Sequence, residues 1–392
     1  MSNDKCQMNR LGRRKFLRTG VGAVVGALAL RGRAWSSPLT RDLRLYIGTY
    51  TSGKSEGIYR YSMSPKTGHL TYVNSFKADN PSFLAMDSSR RYLYAVNEVK
   101  EFDGKSSGAV SAFSINPMSG DIEFLNQQPS LGADPCHLTV DRRRRFVLVA
   151  NYTGGSLVVL PITRDGSLGT STDFIQLEGS SIKEQQDGPH AHCIRLDTAN
   201  RFALAADLGT DKVMIYRFDP SAGKLKTSRQ QYISLLPGAG PRHLTFHPRG
   251  RFAYVINELD STMSAMVSDP SRGTLRLIET VSTLPKEFTG TSYCADVHIS
   301  PSGRFLYGSN RGHDSIVVFR INENTGRLTY VEHVSTQGHW PRNFVIEPLG
   351  RFLLVANQRS DNVVTFKIDP KTGRLTPTGH TVEIPSPVCL KF

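Results

Sequence analysis

A single sequence pattern recurs at intervals of roughly 50 residues along this chain of 392 residues. Each copy is a short apolar run that follows a turn and ends in Asn or Asp, as in residues 250–257 (GRFAYVIN). The copies end at Asn97, Asn151, Asp207, Asn257, Asn310 and Asn357, at spacings of 54, 56, 50, 53 and 47 residues. A degenerate seventh copy is Leu43–Thr49. A fixed period of this length indicates a propeller or a solenoid.

Each period contains four strand-like runs, named A to D here in chain order. Run A precedes the copy, as in residues 241–247, and run B is the copy itself. Run C is clearest in residues 315–321, and run D follows a turn with Pro and Gly, as at residues 374–376. Pro and Gly stand where tight turns use them. Four runs in each period predict four-stranded blades.

The two ends of the chain predict that the units close into a ring. The repeats start at a run B, Leu43–Thr49, and stop at residues 387–392, which fit a seventh run A. The last run would then complete the first blade and remove the open edge that a solenoid has to cap. We therefore predict an all-β fold, a seven-bladed β-propeller of four-stranded blades. Residues 35–392 form its single domain, and the C-terminal strand closes the ring in the N-terminal blade.

Residues 1–34 have the pattern of an export signal. A basic stretch at residues 13–18 (RRKFLR) precedes an apolar stretch at residues 20–30, and Gly32 and Ala34 place small residues before a cleavage site. The apolar stretch is too short to span a membrane. It resembles a twin-arginine signal with Gly12 where Ser or Thr is usual; a basic disordered tail is the alternative. The signal predicts export of the folded chain by the Tat translocase to the periplasm or the medium, with no stable membrane insertion afterwards.

The charge of the mature chain argues against nucleic acid as a partner. The whole sequence carries a formal charge of +14, but residues 1–34 hold eight Lys/Arg and one Asp. The 40 basic and 33 acidic residues that remain form a mildly basic domain, whereas nucleic-acid binding calls for a marked basic patch. Residues 142–145 (RRRR) fall in a turn between runs A and B, where we expect solvated side chains.

Four cysteines remain after residue 34, and they form no metal-binding motif. Each lies in a different run A, and none has CxxC spacing: Cys136, Cys193, Cys294 and Cys389. We expect small buried side chains without disulfides, although a periplasmic location would permit disulfides. No carboxylate cluster suggests a calcium or zinc cage, and we expect no metal and no cofactor.

The direction of the strands gathers polar residues on one face of the disc. Neighbouring strands are antiparallel, so the starts of the A runs and the ends of the B runs share a face. That face also carries the long irregular loops, where binding sites usually lie. The second residue of run A is basic in three units, and the residue after run B is charged in three. These residues are His192, Arg242, Arg342, Glu98, Glu258 and Arg311.

Neighbouring units on this face combine an acid/base pair with two guanidiniums that can hold an anion. The predicted catalytic residues are His192, Arg242, Glu258 and Arg311. The predicted substrate-binding residues are His190, Glu98, Arg342 and Asp207. The alternative is that these charges are solvated or pair with one another. Other histidines, His243 among them, are weaker site candidates, and we expect most of that group to bond to the backbone. We expect the Asn residues that end run B to fix strand ends.

These stretches resemble the seven-bladed lactonase propeller family, which includes a bacterial 6-phosphogluconolactonase and a fungal carboxy-cis,cis-muconate lactonising enzyme. The resemblance covers residues 43–392. Other propellers share the repeat, and the spaced His, Arg, Glu and Arg make the match specific. Its motifs are residues 45–51 (LYIGTYT), 188–192 (GPHAH), 240–243 (GPRH), 257–258 (NE), 310–311 (NR) and 386–392 (SPVCLKF).

The resemblance implies a site and an activity. A His, two Arg and a Glu are the proposed active site of the muconate-lactonising member, and by motif they fall here on His192, Arg242, Arg311 and Glu258. His190 competes for the place of the histidine. The resemblance implies no obligatory metal. It makes hydrolysis of a sugar lactone, as in 6-phosphogluconolactonase, the expected activity.

The export signal departs from the family pattern, because the familiar 6-phosphogluconolactonase is a cytoplasmic enzyme. Whether the lactone is phosphorylated therefore stays open. Two other functions also stay open: reversible lactonisation of a muconate-type diacid by a cycloisomerase, and a non-enzymatic exported disc that binds a protein or a glycan. We expect a monomer, because no exposed apolar stripe calls for a partner.

Overall fold

The computed structural model describes residues 42–392, which form seven four-stranded antiparallel sheets. The sheets follow one another round a central axis as the blades of a propeller, and the predicted fold is confirmed. Within each blade the strands run outwards from the axis in the order A, B, C, D. The predicted signal at residues 1–34 lies outside the described residues.

The strand bounds follow the repeat closely in the first half of the chain. Blade 1 contains β1 (Leu43–Thr49), β2 (Gly57–Met63) and β3 (Leu70–Lys77). Blade 2 contains β4 (Leu84–Met86), β5 (Tyr92–Asn97), β6 (Ala109–Ile115) and β7 (Ile122–Pro129). Blade 3 contains β8 (Pro135–Val140), β9 (Phe146–Asn151), β10 (Ser156–Pro161) and β11 (Asp173–Gln176).

The second half repeats the same unit four times. Blade 4 contains β12 (Ala191–Leu196), β13 (Phe202–Asp207), β14 (Lys212–Asp219) and β15 (Lys224–Ser234). Blade 5 contains β16 (Pro241–Phe246), β17 (Phe252–Asn257), β18 (Thr262–Asp269) and β19 (Thr274–Ser282). Blade 6 contains β20 (Tyr293–Ile299), β21 (Phe305–Arg311), β22 (Ser315–Ile321) and β23 (Leu328–Ser335). Blade 7 contains β24 (Pro341–Ile346), β25 (Phe352–Asn357), β26 (Asn362–Ile368) and β27 (Leu375–Glu383).

The last strand, β28 (Pro387–Lys391), is the inner strand of blade 1. It pairs antiparallel with β1, and Leu390 lies opposite Ile47 in that register. Both side chains are buried, so the contact that closes the ring also completes the core of the first blade. The C-terminal strand therefore closes the ring as predicted.

Neighbouring blades are joined by apolar packing and by a repeated hydrogen bond. Buried tyrosines on the second strands donate their hydroxyl hydrogen to a glycine carbonyl in a turn of the next blade. Tyr46 bonds to Gly120, and Tyr254 bonds to Gly326 at 3.0 Å. Each bond satisfies a buried polar group, which would otherwise destabilise the fold. The blades thus form a rigid ring, and the space along its central axis is called the channel below.

The Asn residues at the ends of the second strands have the structural role that the repeat predicted. Their side-chain amides donate to backbone carbonyls or to nearby hydroxyl groups, as Asn151 does to Ser130 O at 2.9 Å and Asn310 does to Thr283 O at 2.8 Å. The cysteines in the described residues, Cys136, Cys193, Cys294 and Cys389, are free and buried, as expected.

A bulge at the start of the inner strand changes which side chains line the channel. In five blades the pairing register shifts between the first and third residues of the inner strand, as between Pro241 and His243, and in blade 6 it shifts between Cys294 and Val297. Side chains in a regular strand alternate between faces, but a bulge sets two residues against one and re-aims a side chain. Consecutive residues such as Arg242 and His243 can therefore both reach the channel.

Candidate active site

Three of the four predicted catalytic residues form one ion-pair group at the end of the channel where the inner strands begin, which we call the upper mouth. Arg242 comes from the bulge of β16, Glu258 follows β17, and Arg311 ends β21. Oε2 of Glu258 lies 2.8 Å from Nε of Arg242 and 2.8 Å from Nη2 of Arg311. The structure thus joins two blades through a single carboxylate.

Arg242 is held from several sides. Its Nη1 donates to the carbonyl of Ala295 at 2.6 Å and lies 3.3 Å from Nε2 of His243. Burial, together with Arg311 and Arg342, lowers the pKa of Arg242 to about 10. The guanidinium therefore remains charged at neutral pH, and its position is fixed by the backbone of the next blade.

Arg311 reaches Glu258 across an aromatic surface. Its Nη2 donates to the carbonyl of Cys294 at 2.9 Å, and its guanidinium carbon lies 5.3 Å from the centroid of the Trp340 ring. Arg359 also lies against Trp340, at 3.5 Å. Contacts between a guanidinium and an indole ring are attractive. Trp340 therefore helps to hold Arg311 at the mouth.

Glu258 is ionised and partly open to solvent. Burial alone would raise its pKa, but Arg311, Arg242 and Arg342 outweigh burial, and the pKa of Glu258 stays below its ordinary value. Its side chain is 18% exposed, against 2% for Arg242 and 5% for Arg311. Both guanidiniums make their shortest contact with Oε2, and no hydrogen bond to Oε1 is found within residues 42–392. Oε1 can therefore bind a water molecule or a substrate group.

His192 and His190 lie beside the same tyrosine, Tyr152. The rings of His190 and Tyr152 are stacked at 4.6 Å, and His192 meets Tyr152 edge-on at 5.4 Å. Burial, with Arg242 and His243 nearby, holds the pKa of His192 well below its usual range. Burial, with Glu258 as the next cause, raises the pKa of Tyr152 to about 12. His192 is thus a neutral imidazole next to a neutral phenol.

His190 is the more accessible histidine. Its Nε2 lies 3.2 Å from Oδ1 of Asp187, and its Nδ1 lies 3.1 Å from the carbonyl of Tyr152. Its side chain is 15% exposed. His190 therefore borders the mouth, and its ring nitrogens already face two oxygen acceptors.

Arg342 and Glu98, both predicted to bind substrate, belong to a second group at the upper mouth. The hydroxyl of Tyr50 donates to Oε1 of Glu98 at 2.9 Å and accepts from Nη2 of Arg342 at 2.8 Å. Ser82 donates to the other oxygen of Glu98. The pKa of Arg342 is raised, because Tyr50, Glu98 and Glu258 outweigh the effect of its burial. This group lies in blades 7, 1 and 2, beside the Glu258 group.

Asp207 does not join either group. Its Oδ1 accepts the backbone N–H groups of His190 at 2.7 Å and Gly209 at 3.1 Å, and its Oδ2 accepts the hydroxyl of Thr210 at 2.6 Å. The residue is 1% exposed, and burial is the main cause of its raised pKa. Its described contacts fix the backbone before His190.

A chain of hydrogen bonds supports Arg242 from below. Asp296 accepts Nδ1–H of His243 at 2.8 Å, which leaves Nε2 of His243 to face Arg242. Burial and Arg242 lower the pKa of His243 to about 3, despite Asp296, so the ring stays neutral. The side chain of His243 bonds to Asp296 and faces Arg242 and not the backbone, because the bulge turns its ring into the channel.

The comparison of equivalent positions in the seven repeats did not identify several residues of the site. Tyr50 and Tyr152 occupy the same position after strand B as Glu98 and Glu258, but aromatic residues there are equally consistent with packing. Asp296 follows the second residue of its run A, where simple alternation would turn it away from the channel. The shared position after strand B was the signal that could have identified both tyrosines.

The upper mouth can perform general-base and electrostatic catalysis. It offers an ionised carboxylate with an open oxygen, guanidiniums that can stabilise developing negative charge, and neutral aromatic rings. No group of three His, Cys, Asp or Glu in residues 42–392 has the arrangement of a metal site. The cavity between Arg242, His192, Glu98 and Arg342 measures ≈ 10 Å³, about enough for one water molecule. A larger ligand would have to lie above it, in the mouth.

Comparison with known families gives one match that spans the whole propeller. The family described as "Lactonase, 7-bladed beta-propeller" matches residues 44–392. This range contains every residue of the two groups at the upper mouth.

Named relatives agree with this match. The 6-phosphogluconolactonase of Bacillus subtilis (strain 168) is 40% identical over 348 residues, which cover 88% of this chain and 97% of that protein. The 6-phosphogluconolactonase of Formosa agariphila is 36% identical and covers 77% of this chain and 86% of that protein. The solved structure of the Pseudomonas aeruginosa periplasmic gluconolactonase PpgL matches this chain with a TM-score of 0.85 and 34% identity, over 89% of this chain and 98% of that one.

Proposed function

The chain belongs to the seven-bladed β-propeller lactonase family and hydrolyses a sugar lactone, and we propose that the reaction takes place at the upper mouth on Glu258, Arg242 and Arg311. The observation that carries this proposal is the position of Glu258, between two guanidiniums at one oxygen and open at the other. A carboxylate in this position stays ionised and can still accept a proton from water.

Glu258 acts as the general base in this proposal. Water adds to the carbonyl carbon of the lactone as Oε1 accepts its proton, and the carbonyl oxygen becomes an oxyanion. The oxyanion then re-forms the carbonyl, the ring C–O bond breaks, and the proton passes to the leaving oxygen. The product is the open hydroxy acid. His192, with its depressed pKa, borders the reacting groups as a neutral ring.

Arg242 and Arg311 stabilise the negative charge that develops on the carbonyl oxygen. A donor that is already in place is worth most when the charge forms in a site with little water. Arg242 is fixed by Ala295 and Arg311 by Cys294, so neither guanidinium has to reorganise. Arg342, Glu98 and His190 hold the hydroxyl groups or the anionic group of the sugar.

A pair of arginines tests this assignment. Arg311 and Arg359 both lie against Trp340, but only Arg311 reaches Glu258. Arg311→Gln should lower kcat/KM by about 100-fold, the effect of losing one oxyanion donor, and Arg359→Gln should lower it less than about threefold. The rate is measured as proton release from glucono-lactone and from 6-phosphogluconolactone, each corrected for spontaneous hydrolysis. Equal effects of the two substitutions would refute the role of Arg311.

The same assay identifies the substrate. Turnover of the phosphorylated lactone alone would match the Bacillus subtilis relative, and turnover of the neutral lactone would match the gluconolactonase PpgL. No observation favours the muconate-type reaction. We infer the neutral sugar lactone to be the physiological substrate, since phosphorylated sugars are cytoplasmic and residues 1–34 have the pattern of an export signal.

The inference of a neutral lactone depends on export of the protein. The proposed route is the Tat translocase, with the periplasm as destination, and the relative PpgL is a periplasmic protein. Among residues 42–392, no helix is long and apolar enough to cross a membrane. Replacing both Arg13 and Arg14 by Lys should keep the protein in the cytoplasmic fraction. Unchanged export of that variant would rule out the twin-arginine route.

The functional unit of this proposal is a monomer. The seven blades close on themselves through β28, and the groups at the upper mouth are built from one chain. Light scattering of the purified full chain should give about the mass of one chain, 43.4 kDa before any removal of the signal. A stable dimer would contradict this part of the proposal.

A further inference from the structure

The opposite end of the channel, where the inner strands end, contains a cavity that the lactonase site does not use. We call this end the lower mouth. The cavity measures ≈ 440 Å³ and is lined by the inner strands of blades 1 to 4, with Arg195 and Lys391 among its walls. Its volume lies within the range of small-molecule sites. It is separated from the upper mouth by the layer that contains His243 and Asp296.

Two basic side chains in this cavity have no acidic partner. Nε of Arg195 is buried and makes no hydrogen bond. The ammonium of Lys391 lies 5.1 Å from the centroid of the Phe83 ring. Neither side chain forms an ion pair within 4.0 Å in residues 42–392, whereas outer-strand arginines such as Arg327 and Arg374 do. Burial, with Arg195 nearby, lowers the pKa of Lys391, as expected for a cation without a counter-charge.

The acidic groups near this cavity are occupied or lie at its edge. Oδ1 of Asp87 accepts the backbone N–H groups of Arg91 and Tyr92, and Oδ2 accepts the backbone N–H of Ser89. Asp296 is bound by His243, His298 and Asn343. The C-terminal Phe392 lines the cavity, and its carboxylate forms no ion pair in the described part of the chain. The two cations therefore share the cavity without neutralisation.

We propose that the lower mouth is a second binding site, for a small organic anion whose carboxylate or phosphate lies between Arg195 and Lys391. Charge-assisted hydrogen bonds to such a group are about twice as strong as neutral ones. The apolar side chains of Phe83, Met86 and Leu138 on the same wall would contact the carbon skeleton. The site does not depend on the reaction assigned to the upper mouth.

Calorimetric titration of the full chain tests the site directly. Gluconate, glucose 6-phosphate and inorganic phosphate carry the two anionic groups, and glucose serves as the neutral probe. Arg195→Gln and Lys391→Met should each weaken binding of at least one anion about tenfold or more, the effect of losing one charge-assisted contact. Lys367→Gln, an exposed lysine on β26, should leave binding unchanged. Glucose should not bind at this site.

Opposite results would overturn the proposal. Binding that is lost in Arg311→Gln but kept in Arg195→Gln would place the anion at the upper mouth. No binding of any of the three anions would show that the two cations serve another purpose. Which of the anions binds distinguishes a carboxylate ligand from a phosphate ligand.

A second measurement separates binding from folding. Since Lys391 is a partly buried cation without an ion-pair partner in residues 42–392, Lys391→Met should keep or raise the Tm of the anion-free protein. The rise in Tm that phosphate or gluconate causes in the wild type should disappear, with kcat for the lactone unchanged. A lower Tm together with an unchanged anion-dependent rise would show that Lys391 is only structural.

Discussion

Two carboxylates lie along the central channel, and each is held by basic groups, but they differ in what remains free. Asp296, in the middle of the channel, uses both oxygens: Oδ1 accepts His243 and the backbone of Val297, and Oδ2 accepts His298 and Asn343. Glu258, at the upper mouth, has its guanidiniums at one oxygen only. Their side chains are 2% and 18% exposed.

This difference indicates a structural role for Asp296 and a chemical role for Glu258. A carboxylate whose lone pairs are all occupied cannot accept a proton from a substrate without breaking its network, and a buried network of this kind fixes its neighbours. A carboxylate with a free, partly exposed oxygen keeps its charge and can still react. The two are linked, because Asp296 orients His243 and His243 faces Arg242, which reaches Glu258.

The largest expected effect is on activity at the open carboxylate. Glu258→Gln should lower kcat/KM by about 100-fold or more, since it removes the proposed base. The free energy of unfolding should fall by only about 1 kcal/mol, because the Gln side-chain carbonyl still accepts from the guanidiniums, and Arg242 and Arg311 keep their backbone acceptors. Both quantities can be measured on one preparation, by proton release and by urea unfolding.

Glu98→Gln is the matched control, because Glu98 also follows a second strand and also lies at the upper mouth. It should change KM more than kcat. If Glu98→Gln abolished kcat while Glu258→Gln did not, the base would lie on the other side of the mouth and the comparison would fail.

The next largest effect is on stability at the closed carboxylate. Asp296→Asn should lower the free energy of unfolding by about 3 kcal/mol, since it breaks a buried network of charged and polar groups. Asp165→Asn, at an exposed turn carboxylate whose partners are local, should lower the free energy of unfolding much less. Urea unfolding of both variants decides the point. A cost for Asp296→Asn no greater than that for Glu258→Gln would remove the distinction between the two sites.

Comparing the repeats of the sequence predicted the site at Glu258 better than the network around Asp296, and the reason is physical. Arg242, Glu258 and Arg311 appear as exceptions at positions that the repeat makes equivalent, and strand direction alone places those positions on one face. The partners of Asp296 depend on the bulge, which is a property of the pairing register between two strands. No residue type at the bulge requires it: the second position holds Cys136, His192, Arg242, Ala295, Arg342 and Val388.

Acid should weaken the middle of the channel before it affects Glu258. Burial holds the pKa values of His137 and His192 well below the usual range and that of His243 at about 3. Below about pH 6.5 the unfolded chain therefore binds protons that the folded chain does not, and stability falls by roughly 1.4 kcal/mol per pH unit for each such histidine. The depressed pKa of Asp296 acts in the same direction at lower pH. The contribution of Glu258, whose pKa is also depressed, is fully present above its unfolded value of 4.5.

Urea unfolding between pH 7.5 and 5.5 measures this slope. His137→Phe should reduce the slope by roughly 1.4 kcal/mol per pH unit at the acid end, which corresponds to one proton. Phe cannot titrate, and the ring of His137 already packs against Phe83. An unchanged slope would mean that His137 titrates in the folded state.

The smallest effect on activity is expected in the second group of the upper mouth, which contains Tyr50, Glu98 and Arg342. The hydroxyl of Tyr50 joins Glu98 to Arg342, so Tyr50→Phe removes one bridge and leaves both charges at the mouth. We expect KM to rise about threefold, kcat to change less than about twofold, and the free energy of unfolding to fall by about 1 kcal/mol. Steady-state kinetics with the better lactone measures the first two. A fall in kcat as large as that of Glu258→Gln would mean that the bridge holds a reacting group, and Glu98 would then have to be counted with Glu258 as a carboxylate open to chemistry.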